Sequence, residues 1–302
     1  MEIGNRAYKD PNTRATVTQL YNGLEANSQN HRGPLSFDFM AITDFLSPLL
    51  GAGFYYKTFM WPKAFWEKFY EPAIRKSAGL GTLSTEADPD TYDKGFRHCD
   101  ILIIGAGVTG LSAALTAADS GAKIILADED FLMGGRLNSE TNKIDGMAGS
   151  EWAKKTVAKL DAMENVTLMS DTTVFGSYDH GIYGAIENRA SEAREDNDKP
   201  RQVNWRIYTK RAILCAGATE RLIAFGNNDR PGIMLASAVR TYLNRFAVAT
   251  GQRISVYTNN DDGWRTAKDL NAKGFRVTAV IDSRSISPVI RVPGAEMFMG
   301  VD

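Results

Sequence analysis

Residues 98 to 130, HCDILIIGAGVTGLSAALTAADSGAKIILADED, constrain the fold more than any other stretch of the chain. Asp100 to Ile104 is a continuous apolar run without alternation, the pattern of a parallel strand covered on both faces. Three glycines follow at fixed spacing. Gly105 permits a tight turn out of the strand, Gly107 lets main chain approach a pyrophosphate, and Gly110 lets the next helix pack closely on the sheet. Ala114, one turn on, keeps that contact small. The Ala- and Leu-rich composition predicts a helix from about residue 108 to 120, stopped by Gly121. Its N-terminus presents free N–H groups and the positive end of the helix dipole, an anion site without a basic side chain. A second strand, residues 123 to 128, ends in Asp128, about twenty residues beyond the first glycine, where an acid reaches adenosine ribose hydroxyls. The unit therefore predicts a bound dinucleotide. A carboxylate at that position favours NAD or FAD over NADP, whose 2′-phosphate would meet a like charge.

The rest of the composition narrows the function classes. A chain of 302 residues, 43% hydrophobic and 24% charged, has room for two domains with ordinary cores. A formal net charge of −1 without a long basic run gives no footprint for nucleic acid. Cys99 and Cys215 are far apart, so no CxxC pair exists to form a dithiol or a thiolate metal site, and His31, His98 and His180 lack ligand spacing. No metal site is expected. The absence of a secretory leader pattern and the sparse cysteines point to a reducing cytoplasm. Residues 51 to 72, GAGFYYKTFMWPKAFWEKFYEP, are dense in aromatics, but the charges of Lys57, Lys63, Glu67, Lys68 and Glu71 interrupt them. They cannot span a membrane; they pack either in an intrachain core or at an interface.

A second unit repeats the architecture near the C-terminus. In RISVYTNNDDGWRTAKDLNAKGFRVTAVIDSR the patterning predicts strand 254–257, helix 264–272 and strand 277–282, preceded by a helix over about 235–246. The glycines are not repeated. Thr258, Asn260 and Gly263 stand in their place, with Asp261 and Asp262 at the helix start. Those carboxylates are expected to cap the helix and to repel a pyrophosphate. One working dinucleotide site is expected, with the second unit as scaffold.

Several stretches resemble the flavoprotein superfamily that carries two dinucleotide-binding domains. Gly134, Gly135 and Arg136 in FLMGGRLNSE are similar to the Gly-Gly-Arg segment that passes beside the cofactor there, which implies contact of Arg136 with phosphate or ribose. Residues 165 to 189 and 202 to 218 resemble that fold's third strand, antiparallel meander and returning strand. Val174 on the meander and Ala216 and Gly217 in the turn after ILC are counted with the cofactor site on the same basis. Cys215, alone on its strand, reads as a small hydrophobe. ASEAREDNDKP, residues 190 to 200, is too charged for core and reads as a solvated hairpin tip.

More specific is the likeness of LSPLLGAGFYYKTFMWPKAFWEKFYEPAIRKSAGLG, LADEDFLMGGRL, TTVFGSYDHGIYGA, GATERLIAFGNNDRPG and VYTNNDDGWRTA to the alpha subunits of heterotetrameric sarcosine oxidase. That resemblance implies an α/β, Rossmann-like two-dinucleotide-binding-domain flavoprotein fold whose second unit is degenerate and incomplete at the C-terminus. It divides the chain into 1–96, the end of a ferredoxin-like domain with an aromatic linker; 97–225, the dinucleotide-binding domain with its meander; and 226–302, the truncated second unit. It implies NAD in this chain and FAD and FMN elsewhere in a complex with beta, gamma and delta subunits. A tetrahydrofolate-binding part is expected to be missing from these residues. The implied reaction is oxidative demethylation of sarcosine to glycine with O2 and transfer of the one-carbon unit to tetrahydrofolate. No residue of this chain is expected to be catalytic. The alternatives are a related amine or hydroxyproline dehydrogenase subunit, or a non-catalytic nucleotide-binding scaffold.

Overall fold

A computed structural model describes the chain apart from residues 5–8, 16, 17, 30, 31, 35, 36, 50–52, 54–58, 60, 83, 84, 86, 89, 190–198, 229, 231, 286–289 and 302. It forms two compact units, Met1–Pro89 and Asp90–Asp302.

In the first unit, strands β1 (Glu2–Gly4), β2 (Lys9–Asp10) and β3 (Glu25–Asn27) make an antiparallel sheet in the order β2-β1-β3. Helical turns over Lys63–Phe65 and Trp66–Tyr70 run into helix α1 (Glu71–Ser77), and none of their residues is buried. The aromatics here meet each other: Phe65 lies 5.1 Å from Phe69 and Phe59 5.1 Å from Tyr70, centroid to centroid. Trp61 stays 83% exposed. An intrachain core is thus not what the described part of the aromatic stretch forms; residues 54–58 of it, and most of the expected hairpin tip, lie outside the described residues.

The unit Asp90–Asp302 contains a six-stranded sheet in the order β8-β5-β4-β11-β10-β9. Its four parallel strands are β4 (Tyr92–Ile104), β5 (Ile124–Ala127), β8 (Val166–Met169) and β11 (Gln202–Leu214). Strands β9 (Thr172–Tyr178) and β10 (Ile182–Asn188) add the antiparallel meander. Between β5 and β8 the chain forms the small hairpin β6 (Lys143–Ile144) and β7 (Met147–Ala148). Strand β4 starts well before the apolar run, because its first half, Tyr92–Phe96, is largely exposed and pairs in register with Gln202–Arg206 of β11. The chain from Tyr92 onward therefore belongs to the nucleotide-type fold, ahead of the boundary expected at residue 96.

Helices α2 (Val108–Ala118) and α3 (Gly149–Asp161) cover one face of the sheet. Leu111, Ala114 and Ala118 of α2 pack with Ile103, Ile124, Leu126 and Leu160 in a continuous core. The meander covers the other face, where Cys99, Leu102, Ile125, Ala127, Met169, Ala185 and Ile207 form a second core. Burial on both faces explains the unbroken apolar runs of β4 and β5.

The C-terminal part repeats the strand–helix–strand form. Helix α4 (Ala236–Arg240) continues through helical turns at Thr241–Arg245, and a parallel sheet β12-β13-β14 follows, made of Arg253–Thr258, Arg276–Asp282 and Glu296–Met299. Helix α5 (Asp261–Ala272) joins β12 to β13 and buries Trp264, Ala267 and Leu270 against Val256, Val277 and Val280.

Candidate dinucleotide-binding site

The chain leaves β4 at Gly105 with φ +99°, a conformation that glycine adopts freely, and a Cβ there would strike the Cys215 carbonyl. A Cβ on Gly110 would strike the Gly105 carbonyl, so α2 lies directly on the turn. Gly107 differs: a Cβ there meets no atom within 4 Å, which leaves the turn open on its outer side. Among the described residues no side chain caps α2 at Gly107. An uncapped helix start behind an open glycine turn is a site with unfilled N–H donors, and a pyrophosphate fits its chemistry.

Asp128 follows β5 directly beside this turn. Its Oδ2 accepts from Ala106 N at 2.5 Å and its Oδ1 from Asp130 N at 2.9 Å. Burial pushes its pKa above the usual carboxylate range, against those two hydrogen bonds. A carboxylate has about four acceptor positions, so two remain for hydroxyl donors.

The Gly134–Gly135 segment packs on the same turn. Gly134 N donates to Ala106 O at 2.9 Å, and a Cβ on Gly135 would come within 3.0 Å of Gly107 Cα. Arg136 leaves this segment, but its guanidinium is taken up by protein carboxylates. Nε meets Glu140 at 2.7 Å, and Nη2 meets both oxygens of Asp262 at 2.9 and 2.8 Å. The returning strand closes the other side, with Cys215 N donating to Ile104 O at 2.7 Å. Ala216 and Gly217 follow it at the exposed mouth of the turn. Gly105, Gly107, Gly110, Asp128 and Ala216 thus meet at one turn, with Arg136 one residue beyond the Gly135 that packs on it and Gly217 one residue beyond Ala216. Val174 does not join them through its side chain, which packs in the meander core on the opposite face from α2.

Two ion pairs that the sequence does not announce hold the loop beyond Asp128. Arg245 forks onto Asp130, Nη1 to Oδ2 at 2.5 Å and Nη2 to Oδ1 at 2.8 Å. Arg240, almost fully buried, reaches Glu140 of that loop at 3.7 Å and is itself held by Asp262 at 3.1 Å and Asp269 at 3.4 Å. Both arginines come from the segment before β12, more than a hundred residues downstream of the loop, and no local pattern links them to it. Nearby, Asp171 is pushed up to about 6 by burial and by the charges of Asp130 and Glu187.

The second turn is built differently. Thr258 Oγ1 donates to Asn260 O at 2.9 Å and accepts from Asn260 N at 3.1 Å. A Cβ on Gly263 would strike the Thr258 side chain. The helix cap is Asn260, whose Oδ1 accepts from Asp262 N at 2.9 Å. This corrects the expectation that Asp261 and Asp262 cap α5; they serve ion pairs instead, Asp261 with Arg284 at 2.9 Å and Asp262 with Arg136 and Arg240. The charge of the two carboxylates is correspondingly offset, and the Thr258 side chain fills the space beside Gly263. Asp282, which ends β13 as Asp128 follows β5, is fully buried and bonded to Trp264 Nε1 at 2.7 Å and to Arg284. A cleft of about 1020 Å³ does open above this turn, between Thr258, Asn260 and Asp262 on one side and Phe225 and Met234 on the other.

Residues 100–210 match the family model of FAD dependent oxidoreductases. The chain is 51% identical over 288 residues to sarcosine oxidase subunit alpha of Rhizobium meliloti, covering 95% of this chain and 29% of that protein. It is 43% identical over 210 residues to the subunit of the same name from Corynebacterium sp. strain P-1, covering 68% and 22%. The chain thus spans less than a third of the length of these curated relatives. L-proline dehydrogenase from P. horikoshii shares the fold at TM-score 0.51 and 21% identity, over 68% of this chain and 40% of that one. No helix among the described residues is long and apolar enough to cross a membrane. Over nearly all of its residues the chain is a homologue of sarcosine oxidase alpha subunits, built on the FAD/NAD(P)-binding fold of FAD-dependent oxidoreductases.

Proposed function

We propose that this chain holds one dinucleotide, NAD, at the turn Gly105–Gly110 and acts as part of the alpha subunit of a sarcosine-oxidising complex. The observation that carries the reading is the open, uncapped turn at Gly107 with Asp128 and the Gly134–Gly135 segment gathered around it. Gly107 offers the pyrophosphate main chain without a side chain in the way, Asp128 takes ribose hydroxyls, and Arg136 offers charge to the phosphates. Val174, Ala216 and Gly217 contribute main chain at the margins.

In the complex, FAD and FMN of the beta subunit carry the amine oxidation with O2 as acceptor, beta, gamma and delta are the partner subunits in the cytoplasm, and tetrahydrofolate receives the one-carbon unit. The names of the relatives support sarcosine as substrate and a multi-subunit assembly. A second reading puts FAD in this turn, and the match to FAD dependent oxidoreductases favours it. One experiment separates them: purify the complex with the wild-type chain and with Gly107→Val, denature both, and identify the released nucleotides. NAD released by the wild type and lost in the variant supports the proposal. Selective loss of FAD establishes the second reading, and retention of every nucleotide overturns both.

A further inference from the structure

Asp262 sits at the start of α5, beside the turn where a second pyrophosphate would lie, yet one of its partners, Arg136, belongs to the first site. Arg136 Nη2 donates to both of its oxygens, and Glu140 takes Nε of the same guanidinium from the other side. Two carboxylates on a planar, forked cation fix its orientation as well as its charge. The remaining nitrogen, Nη1, makes no hydrogen bond among the described residues, and the Arg136 side chain is 57% exposed. Burial acts against the charge of Arg136, but Glu140 and Asp262 outweigh it and keep the cation firmly protonated.

Arg136 is joined directly to Gly135, which touches Gly107. The guanidinium is therefore anchored one residue from the wall of the open turn. Asp262 is in turn held by the buried Arg240, which Asp269 anchors from behind. Thr141 donates to Asp269 at 2.9 Å and Asn244 to the Ser139 carbonyl at 2.9 Å, so the same network fastens the loop after Arg136 to the second unit.

We infer that Asp262 is a positioning residue for the dinucleotide at the first turn: it holds Arg136 so that Nη1 faces the bound phosphates, and the degenerate second unit serves the first site through this contact. The inference rests on the proposed reading of the Gly105–Gly110 turn. The Arg136–Asp262 pair is exposed at the arginine and adds little to folding stability, so loss of Arg136 should appear in ligand affinity rather than in melting temperature, whereas Asp262→Asn also removes a partner of the buried Arg240 and lowers the melting temperature.

The test titrates NAD into the nucleotide-freed complex carrying Asp262→Asn, Arg136→Lys, Arg136→Met, or Arg136→Met with Asp262→Asn. Asp262→Asn and Arg136→Lys should each weaken NAD about tenfold, the loss of one oriented charge contact. Arg136→Lys leaves the Asp262–Arg240 pair untouched and keeps the test valid if Asp262→Asn folds poorly. If Asp262 acts through Arg136, adding Asp262→Asn to Arg136→Met should change affinity no further. Affinity within twofold of wild type in Arg136→Lys or in folded Asp262→Asn, or losses that multiply in the double variant, would overturn the inference. Failure of the underlying reading shows separately, as NAD binding retained in Gly107→Val.

Discussion

The two strand–turn–helix units have the same backbone plan and opposite chemistry at the turn. At the first, Gly107 faces open space and no side chain caps α2. At the second, Thr258 bonds both main-chain groups of Asn260, and Asn260 caps α5. The acids that end the strands diverge likewise. Asp128 keeps acceptor capacity beside the turn, whereas Asp282 is enclosed by Trp264 and Arg284. A helix N-terminus is thus only the potential for an anion site. Whether its N–H groups are already satisfied by the chain decides whether a ligand has anything to bind.

The largest test of this contrast is Gly107→Val. The side chain enters empty space in the unliganded fold, so melting temperature should hold, while dinucleotide affinity should fall by on the order of a thousandfold or more, the equivalent of about 4 kcal/mol. Titration beside a thermal melt separates the two effects; parallel losses of both would mean that the turn is structural. At the second turn the outcome reverses. Gly263→Ala pushes a methyl into Thr258 and should cost about 1–3 kcal/mol of stability with nucleotide content unchanged. Asn260→Ala removes the cap and should cost about 1 kcal/mol in denaturant unfolding, again without touching the nucleotide.

The smallest expected effect concerns Asp171, beside the Asp128–Asp130 loop. Its folded carboxyl protonates near 6 against an ordinary 3.8, so between those values the folded chain binds more protons than the unfolded one. Stability from this group is therefore fullest below about pH 4 and falls as pH rises through about 6. Asp171→Asn should flatten that slope and, since the site is only half-buried and screened by solvent, add about 1 kcal/mol or less at pH 7. Asn also tolerates the positive φ of 49° found there. A pH series of unfolding midpoints, unchanged in slope between wild type and variant, would remove Asp171 as the source.

The glycine spacing, the apolar strand run and the terminal Asp128 made the first unit legible, because each answers to local geometry within some thirty residues. The degenerate second turn was legible for the same reason. What stayed hidden is non-local. The capping residue of α5 is Asn260, one position before the carboxylates that looked suited to it: Asn260 keeps extended backbone at the cap position, while Asp261 and Asp262 already lie in the first helical turn and pair with arginines. The fork of Arg245 on Asp130 joins two segments with no shared periodicity. The early start of β4 was missed because its first residues are polar and exposed and depend on pairing with β11 for their identity as strand.

The central claim is one dinucleotide per chain, at the first turn and not at the second. An electron-density or cryo-electron-microscopy map of the complex saturated with NAD tests it most directly. The account predicts pyrophosphate density against Gly105–Gly110, with ribose density at Asp128 and none at Thr258–Gly263. Pyrophosphate density at Thr258–Gly263, or an empty first turn in the saturated complex, would contradict it.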